Sequence, residues 1–506
     1  MIRKNIKHST LSYTGVAIAA LSLLTFGSGC SKSFTSSSAA LEGQPAASTF
    51  WTSAADATSA VNSIYGNLRS YNKTAFPAIA IESMGSDDAI KGSVSNDATY
   101  MNLYDNFTVD ATQSQLDGFW TGQYQNINFC NQVIDHVDTM STVDATLKAR
   151  YIAEAKFVRA YSYFRLVRAF GNIPLVLKVP VTTAELNPKQ STSAVVYAAI
   201  EQDLADAASA LPATYNSANI GRATKGASLA LHAKVSMYLK NWNDALNYSN
   251  QVIALGVYSL FSDYYMMFRL ANENCSESIF EIQCDYVAGN DDINSSQYSQ
   301  VQGDRDVSPS VGWGFNEPTQ ALVDSFETGD PRLNATVMFA GTTTPMGDAV
   351  PTASAGAPTR YNMKSYVPWA LADLAGNQGC QQNVRVIRYA EVLLINAEAN
   401  NELGNTAAAL SALEQVRARA RAKSDDPSTD LPAVTTTDQT ALRAAIYHER
   451  HVELAMENDR YFDVIRQGRA ATVFGPLGWA SKNTVWPIPQ TEIDNSGGVL
   501  VQNSGY

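Results

Sequence analysis

Between Ile446 and Gly468 the chain reads I-Y-H-E-R-H-V-E-L-A-M-E-N-D-R-Y-F-D-V-I-R-Q-G. Leu442 and Ile446 begin an apolar stripe at helical spacing, and one turn on the stripe runs into Glu449, Glu453 and Glu457, all at i,i+4. Three glutamates on one helical face repel one another unless cations intervene. A solvated helix sets its charges opposite its apolar stripe; here the charges continue it. The stretch therefore calls for a helix–helix seam with a paired ionic network inside. Spacing predicts the pairs: Arg450 with Glu453, Arg460 with Glu457, and Asp463 between Arg460 and Arg466, each at i,i+3. The same segment tempts with His448-Glu449-Arg450-His451, but a zinc helix of the H-E-x-x-H kind needs its histidines at i,i+4 and these stand at i,i+3.

Other segments fit a helical frame. Arg150–Phe170 is amphipathic, with Ala155, Val158, Tyr161, Phe164 and Leu166 near one side, and stops at Gly171 and Pro174. Val195–Leu211 is a second helix. Thr224–Leu255 reads as a helix–turn–helix turning at Asn241-Trp242-Asn243, with small Ala230, Ala233 and Ala245 set for close approach of paired helices. Val392–Gly404 and Ala407–Ala422 form another pair, and Leu442–Met456 leads into the last. From about Ser259 to Gln382 helical signals are scarce, although Ile279–Gln283 alternates like a short strand.

The segment from Glu449 to Gly468 resembles the C-terminal signature of the SusD/RagB family, the surface glycan-binding lipoproteins of Bacteroidetes. Further stretches carry the likeness in order: Phe50–Tyr65, Gly312–Val337, Arg388–Gly404, Trp486–Asp494 and the terminal Gln502–Tyr506. The resemblance implies a mainly α fold: a tetratricopeptide-like scaffold of helical pairs with a loop-rich, minor-β region packed on it. It divides the chain into an N-terminal helical region, 50–258, and a C-terminal region, 259–506, which is loop-rich to 387, helical over 388–470 and then a tail, the whole forming one compact unit.

The first residues read as an export signal: Arg3, Lys4 and Lys7, then the apolar run Val16–Phe26, then Gly27-Ser28-Gly29 before Cys30. Residues 1–29 are expected to be a lipoprotein signal peptide and Cys30 the lipidated residue, although Gly27 stands where bacterial lipoproteins usually carry Leu. More than one acyl chain anchors firmly, and the Ser/Ala-rich 30–49 is a flexible tether. Outer-membrane attachment facing the cell surface follows from the resemblance; Ser31-Lys32-Ser33 stand where surface-sent relatives often carry acidic residues. An apolar share of 45% with 17% charged residues fits a core-forming chain. The signal holds three of the 36 basic residues and none of the 48 acidic ones, so the remainder carries −15. Such a balance argues against nucleic acid, whose phosphates demand a basic face, and leaves neutral sugars open. Cys130, Cys275, Cys284 and Cys380 include no C-x-x-C pair; Cys275 and Cys284 are near enough in sequence to close a small loop, but mostly buried thiols are expected.

A sugar offers C–H faces and a rim of hydroxyls, so its site needs aromatic platforms beside amides, carboxylates or Arg. The loop-rich middle holds that mixture: Tyr286, Tyr298, Trp313 and Phe315 among Asn290, Asp291, Asp292, Asn294, Gln297 and Arg305. Tyr286 and Tyr298 lie in polar stretches, whereas Trp313 and Phe315 are equally readable as core. A second cluster, Asp87, Asp88, Asn96 and Tyr100, lies in a region that contributes to the ligand face in the family; Asp87 and Asp88 are also readable as caps. The reading is a non-enzymatic glycan binder with no cofactor or metal, partnered with a SusC-like TonB-dependent transporter. A helical-repeat scaffold without small ligand, a binder of peptide or another nutrient, and an exported glycoside hydrolase are the alternatives.

Overall fold

The computed structural model describes residues 50–285, 294–305, 312–354, 356–375 and 381–506. Cys30, the signal, the tether, Tyr286, Asn290, Asp291, Asp292 and Cys380 lie outside them. Ten helices carry the frame: α1 Ala54–Leu68, α2 Ser114–Thr139, α3 Ala145–Phe170, α4 Ser193–Ala210, α5 Lys225–Tyr238, α6 Trp242–Ala254, α7 Tyr389–Glu402, α8 Thr406–Arg421, α9 Gln439–Leu454 and α10 Arg460–Arg466. Their starts are chemically marked. Asp144 Oδ1 accepts from the Thr146 and Leu147 amides, Thr224 from Ala227 and Asp438 from Ala441, satisfying N–H groups the first turn leaves open.

Packing follows the chain: α1 on α2, α2 on α3, α3 on α4, α4 on α5, α5 on α6, then α6 directly on α7 and α7 on α8 and α9. The step from α6 to α7 skips the whole loop-rich middle, which is thereby an insertion into a continuous stack of helices. Ala233 and Ala245 are fully buried with Met237, Ile395 and Ala399 at that step. Small side chains there let the α5–α6 pair and α7 close up. The helical-pair scaffold expected from the sequence is observed.

Two features differ from expectation. α3 is buried on nearly every side, Glu154, Arg159, Ser162 and Arg165 included, so its amphipathic pattern marks one of several buried faces. And α2, at 26 residues, gave no clear period because Gln115, Gln123, Asn126 and Asn131 sit on its buried side. Asn131, for one, donates to the carbonyls of Val176 and Lys178.

Among the described residues the strands form four separate antiparallel pairs: β1 (Ala89–Gly92) with β5 (Phe315–Pro318), β2 (Ile173–Pro174) with β3 (Gln190–Ser191), β4 (Ser278–Ile282) with β8 (Val384–Arg388), and β6 (Val337–Phe339) with β7 (Arg360–Asn362). The β1–β5 ribbon ties the early loop to the inserted region. Cys130 and Cys284 are buried and Cys275 is half-buried, and Cys275 and Cys284 do not close the small loop.

The ionic seam is present, with different partners from those the spacing predicted. Glu453 accepts from Arg332 (3.1 Å), Arg388 (3.0 Å) and Arg419 (2.5 Å); Glu449 from Arg332 and Arg417; Glu457 from Arg388 (2.7 Å) and Lys364 (2.6 Å). Arg450, predicted for Glu453, instead bridges Glu391 on α7 and Asp463. Arg460, predicted for Glu457 and Asp463, is bidentate to Asp87 at 2.7 Å. Only the Asp463–Arg466 pair forms as expected, Arg466 also reaching Glu398. The cause is local. Helix α9 ends at Leu454, and Met456 and Asn458 take positive φ, so residue 457 is not one turn on from 453. Cations from the inserted region and α8 enter the gap, and every seam carboxylate is paired as burial requires.

Candidate functional site

Two loops far apart in sequence meet at one end of the β1–β5 ribbon. Gly92 crosses Gly314 so closely that the Ser93 amide donates to the Gly314 carbonyl, and a Cβ on Gly92 would stand 2.5 Å from that oxygen. Both glycines also hold positive φ, +68° and +72°, the conformation that glycine alone adopts readily. This crossing fixes the 93–97 loop against the 313–315 segment.

Aromatic rings gather beside the crossing. Trp313 is half-buried, its indole stacked on Phe76 with centroids 5.7 Å apart and planes 29° from parallel. Phe315 meets Phe76 edge-on at 4.5 Å from beneath and is buried. Tyr71 flanks Phe76 at 6.4 Å and is 39% exposed; Tyr100 is 41% exposed. The Tyr71 phenol is pushed up to about 12, by burial first and by the nearby Tyr100 second. The half-buried indole and two half-exposed phenols make an apolar platform with polar ends.

The polar rim is set by Arg305. Its Nη1 donates to Ser93 Oγ and Asp97 Oδ2, both at 2.6 Å, and to the Trp313 carbonyl at 3.1 Å. Lys91, buried over the Phe315 ring, donates through Nζ to the Val94 and Asp97 carbonyls. Its amide donates to Asp105, whose carboxyl is pushed up to about 7 by burial. Asn96 is exposed at the loop tip. Of the residues predicted from sequence, the structure brings Trp313, Arg305, Asn96 and Tyr100 to this face. Tyr71, Ser93 and Asp97 were missed, although Tyr71 sits in the polar run S-Y-N-K, the signal that drew attention to other tyrosines.

The remaining predicted residues are placed elsewhere. Tyr298 is 8% exposed, its hydroxyl 3.5 Å from the Met456 carbonyl. Its polar neighbours are buried with it: Ser299 donates to Gln382, and Gln302 accepts from Asn316 and Asn362. Polarity there signalled an internal hydrogen-bond network and not a solvated loop. Asp87 and Asp88 are ionic scaffold and not helix or turn caps. Burial works against the Asp87 carboxylate, but Arg460 outweighs it and holds the group low, while Asp88 meets His451 at 2.6 Å. Oxygen and nitrogen atoms of Asp87, Asp88 and His451 fall within 4.8 Å of one another; Arg460 already supplies the positive charge that such a cluster needs. His448 faces Glu327 instead, so the two histidines diverge. Asn294 accepts from Arg69, and Gln297 donates to Gln300, whose carbonyl accepts from the Trp313 amide, so Gln297 braces the backbone behind the platform. Among the described residues no helix is long and apolar enough to cross a membrane.

Fold and face together define a class: stacked helical pairs bearing an inserted, loop-borne aromatic surface. The chain belongs to the SusD family. The family's own model matches residues 276–506, and a second, described as "Starch-binding associating with outer membrane", matches 41–239. The SusD-like protein P2 of Formosa agariphila is 30% identical over 433 residues, covering 79% of this chain and 83% of its own. Among solved structures, a laminarin-binding SusD-like protein is 29% identical, with a TM-score of 0.76 over 90% of this chain and all of its own. Surface glycan-binding protein A from Bacteroides thetaiotaomicron is 25% identical, with a TM-score of 0.75 over the same share of this chain.

Proposed function

We propose that the chain is a lipid-anchored, non-enzymatic glycan-binding protein of the outer membrane. It captures oligosaccharide on the Tyr71–Tyr100–Trp313 face and delivers it to a SusC-like TonB-dependent transporter. The observation that carries the reading is the half-buried Trp313 indole, stacked on Phe76, which Tyr71, itself partly exposed, also flanks. A pyranose C–H face stacks on such a surface while its hydroxyls reach Arg305, Asp97 and Asn96.

The same geometry disfavours hydrolysis. A glycosidase needs two carboxyl groups set either side of the scissile bond. At this face Asp97 is held by Arg305 and Ser93, and Asp105 lies under the loop against the Lys91 amide. The titratable groups are committed to shaping the loop. Glycan relatives in the family, one of them named for laminarin at 29% identity, make laminarin the first ligand to try, followed by a panel of neutral polysaccharides.

The test is calorimetry of the chain from residue 31 against that panel, with the Tyr71, Tyr100 and Trp313 alanine variants alongside. Binding by wild type that the triple variant loses supports the face; binding that survives sinks it, and absence of any glycan binding favours the scaffold reading. Hydrolysis products from the purified protein, abolished by one carboxylate change, would establish the enzyme instead. Membrane fractionation of Cys30→Ala addresses the anchor: release into the soluble fraction is expected, and retention refutes lipidation.

A further inference from the structure

The outer face of α9 carries a second, chemically different pocket. Thr440, Arg443, Ala444, Tyr447, His448 and His451 recur at i, i+3, i+4, i+7, i+8 and i+11 and so share one side of the helix. Arg469, just beyond α10, closes a cavity of about 300 Å³ against them. The side of α9 that bears Glu449 and Glu453 faces inward to the seam, and this pocket meets that network at its edge, through Glu327, which His448 and Arg417 share.

Its cations differ in what they already hold. Arg443 gives Nε and Nη2 to Glu402, which leaves Nη1 uncommitted. His448 faces Glu327 at 3.2 Å and His451 faces Asp88 at 2.6 Å. Arg469 is the exception. Its Nη1 donates to the neutral amide of Gln467 and its guanidinium lies 5.8 Å from the Tyr447 ring centroid, but among the described residues no carboxylate comes within ion-pair distance. Burial first, and the like charge of Arg460 second, pull its pKa down. A half-buried guanidinium that feels Asp87 only at a distance and pairs with no carboxylate, a second guanidinium with a spare donor and a threonine hydroxyl around one cavity make a complement for an anion.

We propose that this pocket binds a small oxyanion, either a free sulfate or phosphate ion or an acidic substituent on a sugar, with Arg469 as its charge partner and Arg443 Nη1 as a second donor. The ribbon that carries the aromatic face at its Gly92 end reaches Asp88, the partner of His451, at its other end. At a rise of about 3.3 Å per residue the two sites are on the order of 15 Å apart. The oxyanion site is therefore separate from the glycan face. The chain's net charge of −12 suppresses diffuse anion binding, so saturable binding would report the pocket itself.

The experiment titrates the full chain, purified in detergent, with sodium sulfate and with inorganic phosphate at constant ionic strength balanced by chloride. Heat and thermal shift are both recorded. Wild type is expected to saturate at or below ~10 mM, while Arg469→Gln binds at least tenfold more weakly and keeps wild-type glycan affinity. Glucose 6-sulfate, glucose and sulfate run in parallel: tighter binding of the sulfated sugar than of sulfate identifies a substituent as the source, and equal binding identifies the free ion. Unchanged anion affinity in Arg469→Gln overturns the proposal. Should that variant fold poorly in chloride, wild type alone decides, because failure to saturate with either ion overturns it too.

Discussion

Around Glu453 both carboxylate oxygens are taken by arginines, two on Oε1 and one on Oε2, and the group is fully buried. At the Trp313 face the rings are half-exposed and the ion pair that shapes it, Arg305 with Asp97, stays partly open to water. The first region spends its charges inward and the second turns its chemistry outward. The comparison teaches how one depends on the other. Arg332, Lys364 and Arg388 reach α9 and the segment after it from the inserted region and its exit strand, and so clamp that insertion to the helical stack. A loop face on a clamped insertion meets its ligand already shaped, which spares ordering entropy on binding.

The sharpest break of this contrast is Glu453→Ala. It leaves Arg332, Arg388 and Arg419 one shared carboxylate short in the interior, with Asp330, Glu449, Glu277 and Glu457 as the partners that remain, and removing one partner of a buried ionic group costs about 3–5 kcal/mol. Denaturant unfolding should show a loss in that range, with glycan affinity altered only through the clamp. A loss below ~1 kcal/mol would mean that the seam is not the stabilising unit. Acid should act the same way. Burial raises the Glu453 carboxyl, but Arg419, Arg388 and Arg332 outweigh it and hold it at about 2. Its contribution is present above its unfolded value near 4.5 and is lost as pH falls toward 2.

Next in size, Trp313→Ala should leave the melting temperature close to wild type and weaken glycan binding by about 2 kcal/mol, roughly 30-fold, as a central aromatic anchor does. If stability falls and affinity does not, Trp313 is core and the platform assignment fails. Tyr100→Ala, on a ring at the edge, is expected to weaken binding by only about fivefold, near 1 kcal/mol, with no change in unfolding. Calorimetry of the two variants side by side ranks the platform from centre to rim.

Much of the frame was legible in sequence because helices announce themselves locally: α3 to α9 were read to within a few residues from period, glycine stops and small-residue stripes. α2 was not, since its buried amides blur the apolar period. The demand for cations at Glu449, Glu453 and Glu457 was readable from one helix. Their identity was not, because Arg332, Arg388, Arg417 and Arg419 are supplied by other elements. The face shows the same division. Trp313, Arg305 and Tyr100 were candidates by type, but their assembly depends on the Gly92–Gly314 crossing, which no local pattern encodes. Tyr298 misled because buried serine and glutamine side chains look, in sequence, like a solvated loop.

A last comparison tests whether the two regions also answer pH in opposite directions. Asp105 sits under the face loop with one oxygen on the Lys91 amide and the other without a hydrogen-bond partner. Burial pushes its carboxyl up to about 7, above the unfolded value near 3.8, so the folded state prefers it protonated. Its contribution to stability is therefore full below about pH 4 and is lost as pH rises through 7, the reverse of Glu453. Asp304, pushed up to about 6, and Glu273, to about 7, both by burial, share that sign. Stability should climb from pH 2 to about 4.5 as the seam ionises and decline from there toward 7 as these three do. Asp105→Asn keeps the shape and cannot ionise, so it should flatten part of the decline while leaving the acid limb untouched. A variant whose unfolding free energy falls with pH as steeply as wild type would place Asp105 in the ordinary ionised state and remove the contrast between face and seam.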